Sequence, residues 1–306
     1  MDLLILDRVP LPSLRAPALL CAFSGWPDGG AGPTGAISYL LMKWPHQRIA
    51  HFDPEQVYAY TLTRPRVRLS EGGLRSLVWP ELLLASVPLA SQHRDLVVLA
   101  GPEPDLRWHA CASTIAEIAG RLGVEIVITL GCFLAPVSHV GAVPLVGFAN
   151  DPDLSQRLRT LSIGETAYQG PTAFNTAVVD AATRAGLSAT SIWAAAPNYL
   201  ATQENAKVSA ALLTAVERLL DLDLGLAELH AAGRAFEERV DEVFRQRPDL
   251  WRSLERLRGH QPETAEPPAE RGAEEAQPSE LPSPQDLVQE LEEFLRQLRD
   301  KQQDEE

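Results

Sequence analysis

Three side chains stand where a proton could be moved: Asp28, Glu103 and His139, each in a loop rich in glycine or proline that follows an apolar run. The first loop, Gly25-Trp26-Pro27-Asp28-Gly29-Gly30, separates an apolar run from a helical one. Its glycines permit close backbone approach, and a helix N-terminus behind them offers free N–H donors to an anion. The same residues suit a tight turn capped by Asp28. The spacing fits neither G-x-G-x-x-G nor a Walker loop, and Ser24 lacks the G-x-S-x-G frame of a nucleophile elbow. Glu103, between Pro102 and Pro104 and shortly before Trp108, offers a lone acid or base, or a loop cap. His139 has no identifiable Asp or nucleophile partner in its neighbourhood, which predicts a structural or exposed ring. Asn198 and Tyr199, after Pro197, would face the same cleft or simply form a turn. None of the 7 histidines stands at ligand spacing from another histidine or a carboxylate, so no metal site and no cofactor are expected.

The elements that must hold these loops read as short continuous apolar strands: 18–23, 48–52, 96–100, 125–130, 143–148 and 189–194. Helical periodicity fills 34–43, 106–122, 172–185, 205–220 and 226–257, the last broken near Pro248. Continuous apolar strands alternating with helices predict an α/β fold of three layers, a mostly parallel sheet covered by helices on both faces. The candidate loops would then gather at the carboxyl edge, where such sheets bind ligands. The segment 57–79 breaks this rhythm. Arg64, Arg66 and Arg68 alternate with Pro65, Val67 and Leu69, a turn follows at Glu71-Gly72-Gly73, and the strand pattern resumes at Leu74. An antiparallel hairpin flap is expected, its arginines forming either a wet face or a clamp for an acidic partner.

Of a formal net charge of −14, residues 261–306 carry −10, with 14 acidic and 4 basic residues, so the first 260 carry only −4. Phosphate backbones and anionic bilayers attract clustered Lys and Arg, so neither a nucleic acid nor a membrane surface is an expected partner. Three scattered cysteines form no C-x-x-C pair and point to a reducing compartment, and no apolar run reaches the roughly 18 residues of a membrane span. The expected location is cytoplasmic.

Residues 1–260 read as one α/β domain. The stretch 261–284, with six prolines and almost no large apolar residue, cannot bury enough surface to offset ordering and reads as an acidic, semi-extended linker. Over 285–303 a helix is expected, opened by Ser283, Pro284 and Asp286. Leu287, Leu291, Phe294 and Leu298 recur at spacings of four and three and form an apolar seam that needs a surface to pack on.

Taken in order, several motifs resemble the proteasome assembly chaperone 2 family, in its bacterial stand-alone branch. They are Gly25-Trp26-Pro27-Asp28, Phe52-Asp53-Pro54-Glu55, Thr63-Arg64-Pro65 with Val67-Arg68-Leu69, and Gly101-Pro102-Glu103-Pro104 through Arg107-Trp108. Gly170-Pro171-Thr172 and Trp193-Ala194-Ala195-Ala196-Pro197 complete the set, which spans roughly residues 15 to 220. The resemblance implies an α/β core similar in architecture to nucleoside phosphorylases, used for protein–protein association and commonly homo-oligomeric. Proteasome-engaging members often end in a hydrophobic residue, tyrosine and any residue. This chain ends Asp304-Glu305-Glu306, which puts docking by that route in doubt.

The expectation is therefore a non-catalytic assembly protein with protein partners, itself included. The alternative is an enzyme or binder of a nucleoside or phosphorylated metabolite at the cleft. An ATP-grasp ligase is set aside, because no phosphate-binding glycine loop with its Lys and no metal-binding Glu/Asn pair is present.

Overall fold

Residues 18–24 alternate between two cores. Ala18, Leu20 and Ala22 pack on one side of their strand and Leu19, Cys21 and Phe23 on the other, and all six are buried. A strand apolar on both faces must be covered on both, and each fully buried large side chain contributes about 1.5–3 kcal/mol. The computed structural model describes residues 3–70, 73–201 and 203–247. The expected break near Pro248, the linker 261–284 and the helix 285–303 with Leu287, Leu291, Phe294 and Leu298 lie outside the described residues.

The chain runs β1 (Leu4–Leu6), β2 (Ala18–Ser24), α1 (Gly32–Lys43), β3 (Gln47–Phe52), α2 (Pro54–Val57), β4 (Arg66–Leu69) and β5 (Arg75–Val78). It continues with β6 (Leu83–Val87), β7 (Leu96–Pro102), α3 (Trp108–Arg121), β8 (Ile126–Ala135), β9 (Leu145–Ala149) and α4 (Pro152–Thr160). It closes with β10 (Gly164–Glu165), α5 (Phe174–Arg184), β11 (Ser188–Pro197), α6 (Ala206–Leu220) and α7 (Ala227–Gln246). Among the described residues nine strands form one sheet in the order β1-β3-β6-β7-β2-β8-β11-β9-β10.

The α/β class is as expected, and the sheet is mixed. Its centre, β7-β2-β8-β11, is parallel, as is the β9–β10 pair. The flanking pairs β1–β3, β3–β6, β6–β7 and β9–β11 are antiparallel. The antiparallel flank arises because β6 enters between β3 and β7 from the hairpin insertion, without a helical crossover. Helices α1 and α6 cover one face, with α7 packed on α6, and α3 and α5 cover the other. Leu229, Phe236, Val240 and Phe244 of α7 are all buried, as their spacing predicts.

The hairpin β4–β5 is a separate two-stranded sheet, closed by hydrogen bonds from Ser70 N–H to Leu74 O (2.9 Å) and from Gly73 N–H to Ser70 O (2.9 Å). Every residue of both strands is exposed.

Candidate functional site

Because β7, β2, β8 and β11 run parallel, their carboxyl ends bring the loops after residues 24, 102, 135 and 197 to one edge. The topological expectation is met. The side chains there, however, are engaged with the fold.

Gly25 adopts φ 120°, and a Cβ there would lie 3.7 Å from Glu103 Cβ, so the first loop rests on the second. Gly29 and Gly30 lie against Cys132 O and Asn205 Cβ, each 3.1 Å from where a Cβ would sit. These glycines seat the turn on β8 and on the start of α6. Asp28 accepts from Thr34 N–H (3.0 Å) through Oδ1 and from the Thr34 hydroxyl (2.7 Å) through Oδ2. Burial outweighs both bonds and pushes its carboxyl up to about 6. Glu103 accepts from Phe174 N–H at 2.5 Å, capping the N-terminus of α5, where the helix dipole favours a carboxylate. Burial raises its pKa above the ordinary range, and the Phe174 bond opposes that shift.

His139 has the structural place that was one of its two expected readings, with an Asp partner that the sequence did not reveal. Its ring is buried, and Nε2 lies 2.9 Å from Asp241 Oδ1, supplied by α7 102 residues further on. Nδ1 lies 2.9 Å from the Tyr199 hydroxyl, which also accepts from His139 N–H at 2.9 Å. With Asp241 Oδ1 accepting from Nε2–H, Nδ1 accepts from the Tyr199 hydroxyl. Phe244 stacks on His139 at 5.5 Å, and Lys207 contacts both His139 O and Glu237. Burial depresses the His139 pKa while Asp241 works against it. Asp241 had no sequence signal, because no spacing rule connects residues so far apart. The nearest hint is its place beside Val240 on the buried stripe of α7.

No hydrogen bond joins Asp28, Glu103 and His139 to one another among the described residues, and no group of three or more His, Cys, Asp or Glu there could hold a metal ion. Trp108 donates from Nε1 to Pro104 O and packs edge-on against Phe174, a core role. Trp26 is exposed and meets Trp193 edge-on at 6.5 Å. Asn198 is exposed, with no side-chain hydrogen bond among the described residues.

A second region is open. Pairing of Val67 with Leu77 places Val67, Leu69 and Leu77 on one face of the hairpin, 57%, 63% and 54% exposed. Arg66 and Arg68 occupy the other face, opposite Val78 and Ser76. Neither they nor Arg64 form an ion pair among the described residues. Tyr60 packs on Trp79 at 4.9 Å near the base.

Solved structures share this arrangement. A PAC2 family protein from Streptomyces avermitilis is 37% identical over 74% of this chain and 95% of its own, with a TM-score of 0.68. A Mycobacterium tuberculosis protein described as a proteasome-assembly chaperone homologue is 33% identical over 74% of this chain and 94% of its own, also at 0.68. PbaB of Pyrococcus furiosus, described as an archaeal proteasome activator, is 16% identical over 79% of this chain and 99% of its own at 0.62, a likeness of fold alone. No curated protein matches the sequence. The model of the PAC2 family matches residues 22–244, from β2 almost to the end of α7, so the strands, loops and hairpin described above are those of a chain that belongs to the PAC2 family.

Proposed function

We propose that this chain is a non-catalytic assembly protein that works by associating with protein, its own copies included, and that the hairpin β4–β5 is a contact surface for doing so. One contrast carries the reading. The ionisable groups at the carboxyl edge are bonded to Thr34, Phe174, Tyr199 and Asp241, while the hairpin holds Val67, Leu69 and Leu77 in water beside arginines that form no ion pair among the described residues. Exposed apolar side chains rimmed by charge mark association surfaces. The relative described as a proteasome-assembly chaperone homologue supports a protein partner. The rival, an enzyme at the cleft, needs Asp28, Glu103 and His139 to face a common substrate, and each is directed to a different element of the fold. Free and buried Cys21, Cys111 and Cys132 support the cytoplasmic location expected from the sequence, and no described helix is long and apolar enough to cross a membrane.

Sedimentation over a concentration series tests this. Wild-type protein should exceed the monomer mass, and V67D/L77D should fall towards it with an unchanged thermal midpoint. A wild-type protein that stays monomeric, or turnover of a nucleoside or phosphorylated metabolite abolished by D28N or E103Q, would overturn the reading.

A further inference from the structure

Helices α6 and α7 lie side by side and leave a groove of about 680 Å³ between them and the segment 141–145. On α6 the lining runs from Lys207 through Ala210, Ala211, Thr214 and Ala215 to Arg218, a single stripe whose middle is mostly alanine. On α7 it is His230, Gly233, Arg234 and Glu237, again a single stripe. Val143, Pro144, Leu145 and Leu161 form the opposing wall. Gly233 lets α7 close on α6, since a Cβ there would sit 3.1 Å from Lys207 Cα, while the alanines of α6 leave the floor of the groove open to large apolar side chains from elsewhere.

The rim is cationic. Lys207 is paired with Glu237, but Arg218 and Arg234 form no ion pair among the described residues, and both are exposed.

We infer that this groove is occupied by the chain's own C-terminal segment 285–303, its Leu287, Leu291, Phe294 and Leu298 set into the α6–α7 floor and its Asp286, Glu290 and Glu293 along the Arg218–Arg234 rim. Three observations converge. From Lys207 to Arg218 is eleven residues, as from Leu287 to Leu298, so at about 1.5 Å per residue floor and seam are both roughly 16 Å long. Asp286, Glu290 and Glu293 each directly precede a seam residue, which places an acidic row on one flank of the apolar stripe. That row faces the two arginines when the segment runs antiparallel to α6. Arg296 and Arg299 then approach the end of the groove that holds Glu237.

The connection is long enough. Chain direction puts the end of α7 near Lys207, since Lys207 contacts Glu237, so the tail must return to the Arg218 end, roughly 30 Å at helical rise. The 39 residues between Gln246 and Asp286 span about 35 Å root-mean-square as a flexible chain. At the millimolar effective concentration that order of tether supplies, even weak contacts fill the groove.

Hydrogen exchange on the full-length protein, read by mass spectrometry over 286–299, tests the assignment. In the wild type these amides should exchange at least about tenfold more slowly than in R218E/R234E, whose two changes lie on exposed positions. Adding D286R/E290R to that variant should restore protection. Tail amides that exchange equally fast in the wild type and R218E/R234E would overturn the inference. So would release of the tail by R66E/R68E, which would assign it to the hairpin, or protection that vanishes on dilution, which would assign it to a second copy. The oligomeric state read on V67D/L77D is a separate measurement, so this inference and the proposed function stand or fall independently.

Discussion

At the carboxyl edge of the sheet, Asp28, Glu103 and His139 have each found a partner inside the protein, and two of them hold helix starts while the third fastens α7. On the β4–β5 hairpin the reverse holds: Val67, Leu69 and Leu77 face solvent, and the arginines beside them have no counter-charge among the described residues. A buried polar group left unpaired costs about 1–3 kcal/mol, so a fold satisfies such groups locally unless something else is meant to do so. An exposed apolar side chain carries no such penalty and waits for a partner. The difference separates side chains that build this molecule from those free to act on another.

The sharpest break of that comparison is H139A. Removing a buried ring that bonds Tyr199 and Asp241 and stacks on Phe244 should cost about 3 kcal/mol, read as a fall in unfolding free energy. Normal stability would mean the imidazole is not structural. Its pKa is held below the ordinary 6.5, so this contribution is fully present above pH 6.5 and is lost as pH falls towards the folded value. H139Q should flatten the acid limb in a titration of stability.

Asp28 has the opposite sign. Its folded pKa of about 6 lies above the ordinary 3.8, so the stability it contributes is complete below pH 3.8 and is lost as pH rises through about 6. Between those limits D28N should remove a change on the order of 3 kcal/mol, measured by denaturant unfolding at each pH. A slope that survives the substitution would place the titration elsewhere.

On the hairpin the expected stability effect is small. V67D/L77D should move unfolding free energy by no more than about 0.5 kcal/mol while abolishing self-association. A large loss of stability would show that the hairpin packs on its own domain and would erase the contrast. Smallest of all, R64Q/R66Q/R68Q should slow association several-fold at low salt and leave it unchanged at high salt, followed by stopped-flow light scattering. Salt-independent rates would remove the arginines from the encounter.

How much of this was legible follows the physics of each signal. Strands β2, β7, β8 and β11 announce themselves because burial on both faces makes their sequences continuously apolar, β3 and β9 show shorter apolar runs although only partly buried, and five observed helices lie within or overlap the periodic stretches. Strand β6 carries an equally apolar run, Leu82–Val87, but it follows the hairpin directly, and a reading based on strands alternating with helices has no slot for it. Strands β1 and β10 are too short to show a pattern. The start of α4 was written in Asp151-Pro152, an N-cap that accepts from Leu154 N–H at 2.8 Å, yet just Leu154 and Leu158 are buried behind it, too few for a periodic signal. The candidate loops were legible because parallel topology fixes their edge. The occupants of their hydrogen bonds were not, since Thr34, Phe174 and Asp241 are joined to them by the fold and not by spacing. The alternation of Arg64, Arg66 and Arg68 was legible as a hairpin, but whether its apolar face would be covered is a matter of tertiary packing.

The outermost strands of the nine-stranded sheet are three and two residues long. So short a rim offers few free backbone donors and acceptors for a further strand to add to, so the sheet is poorly suited to grow by end-to-end pairing into a fibre. Copies of this molecule that met would therefore do so through side chains and not through a continued sheet.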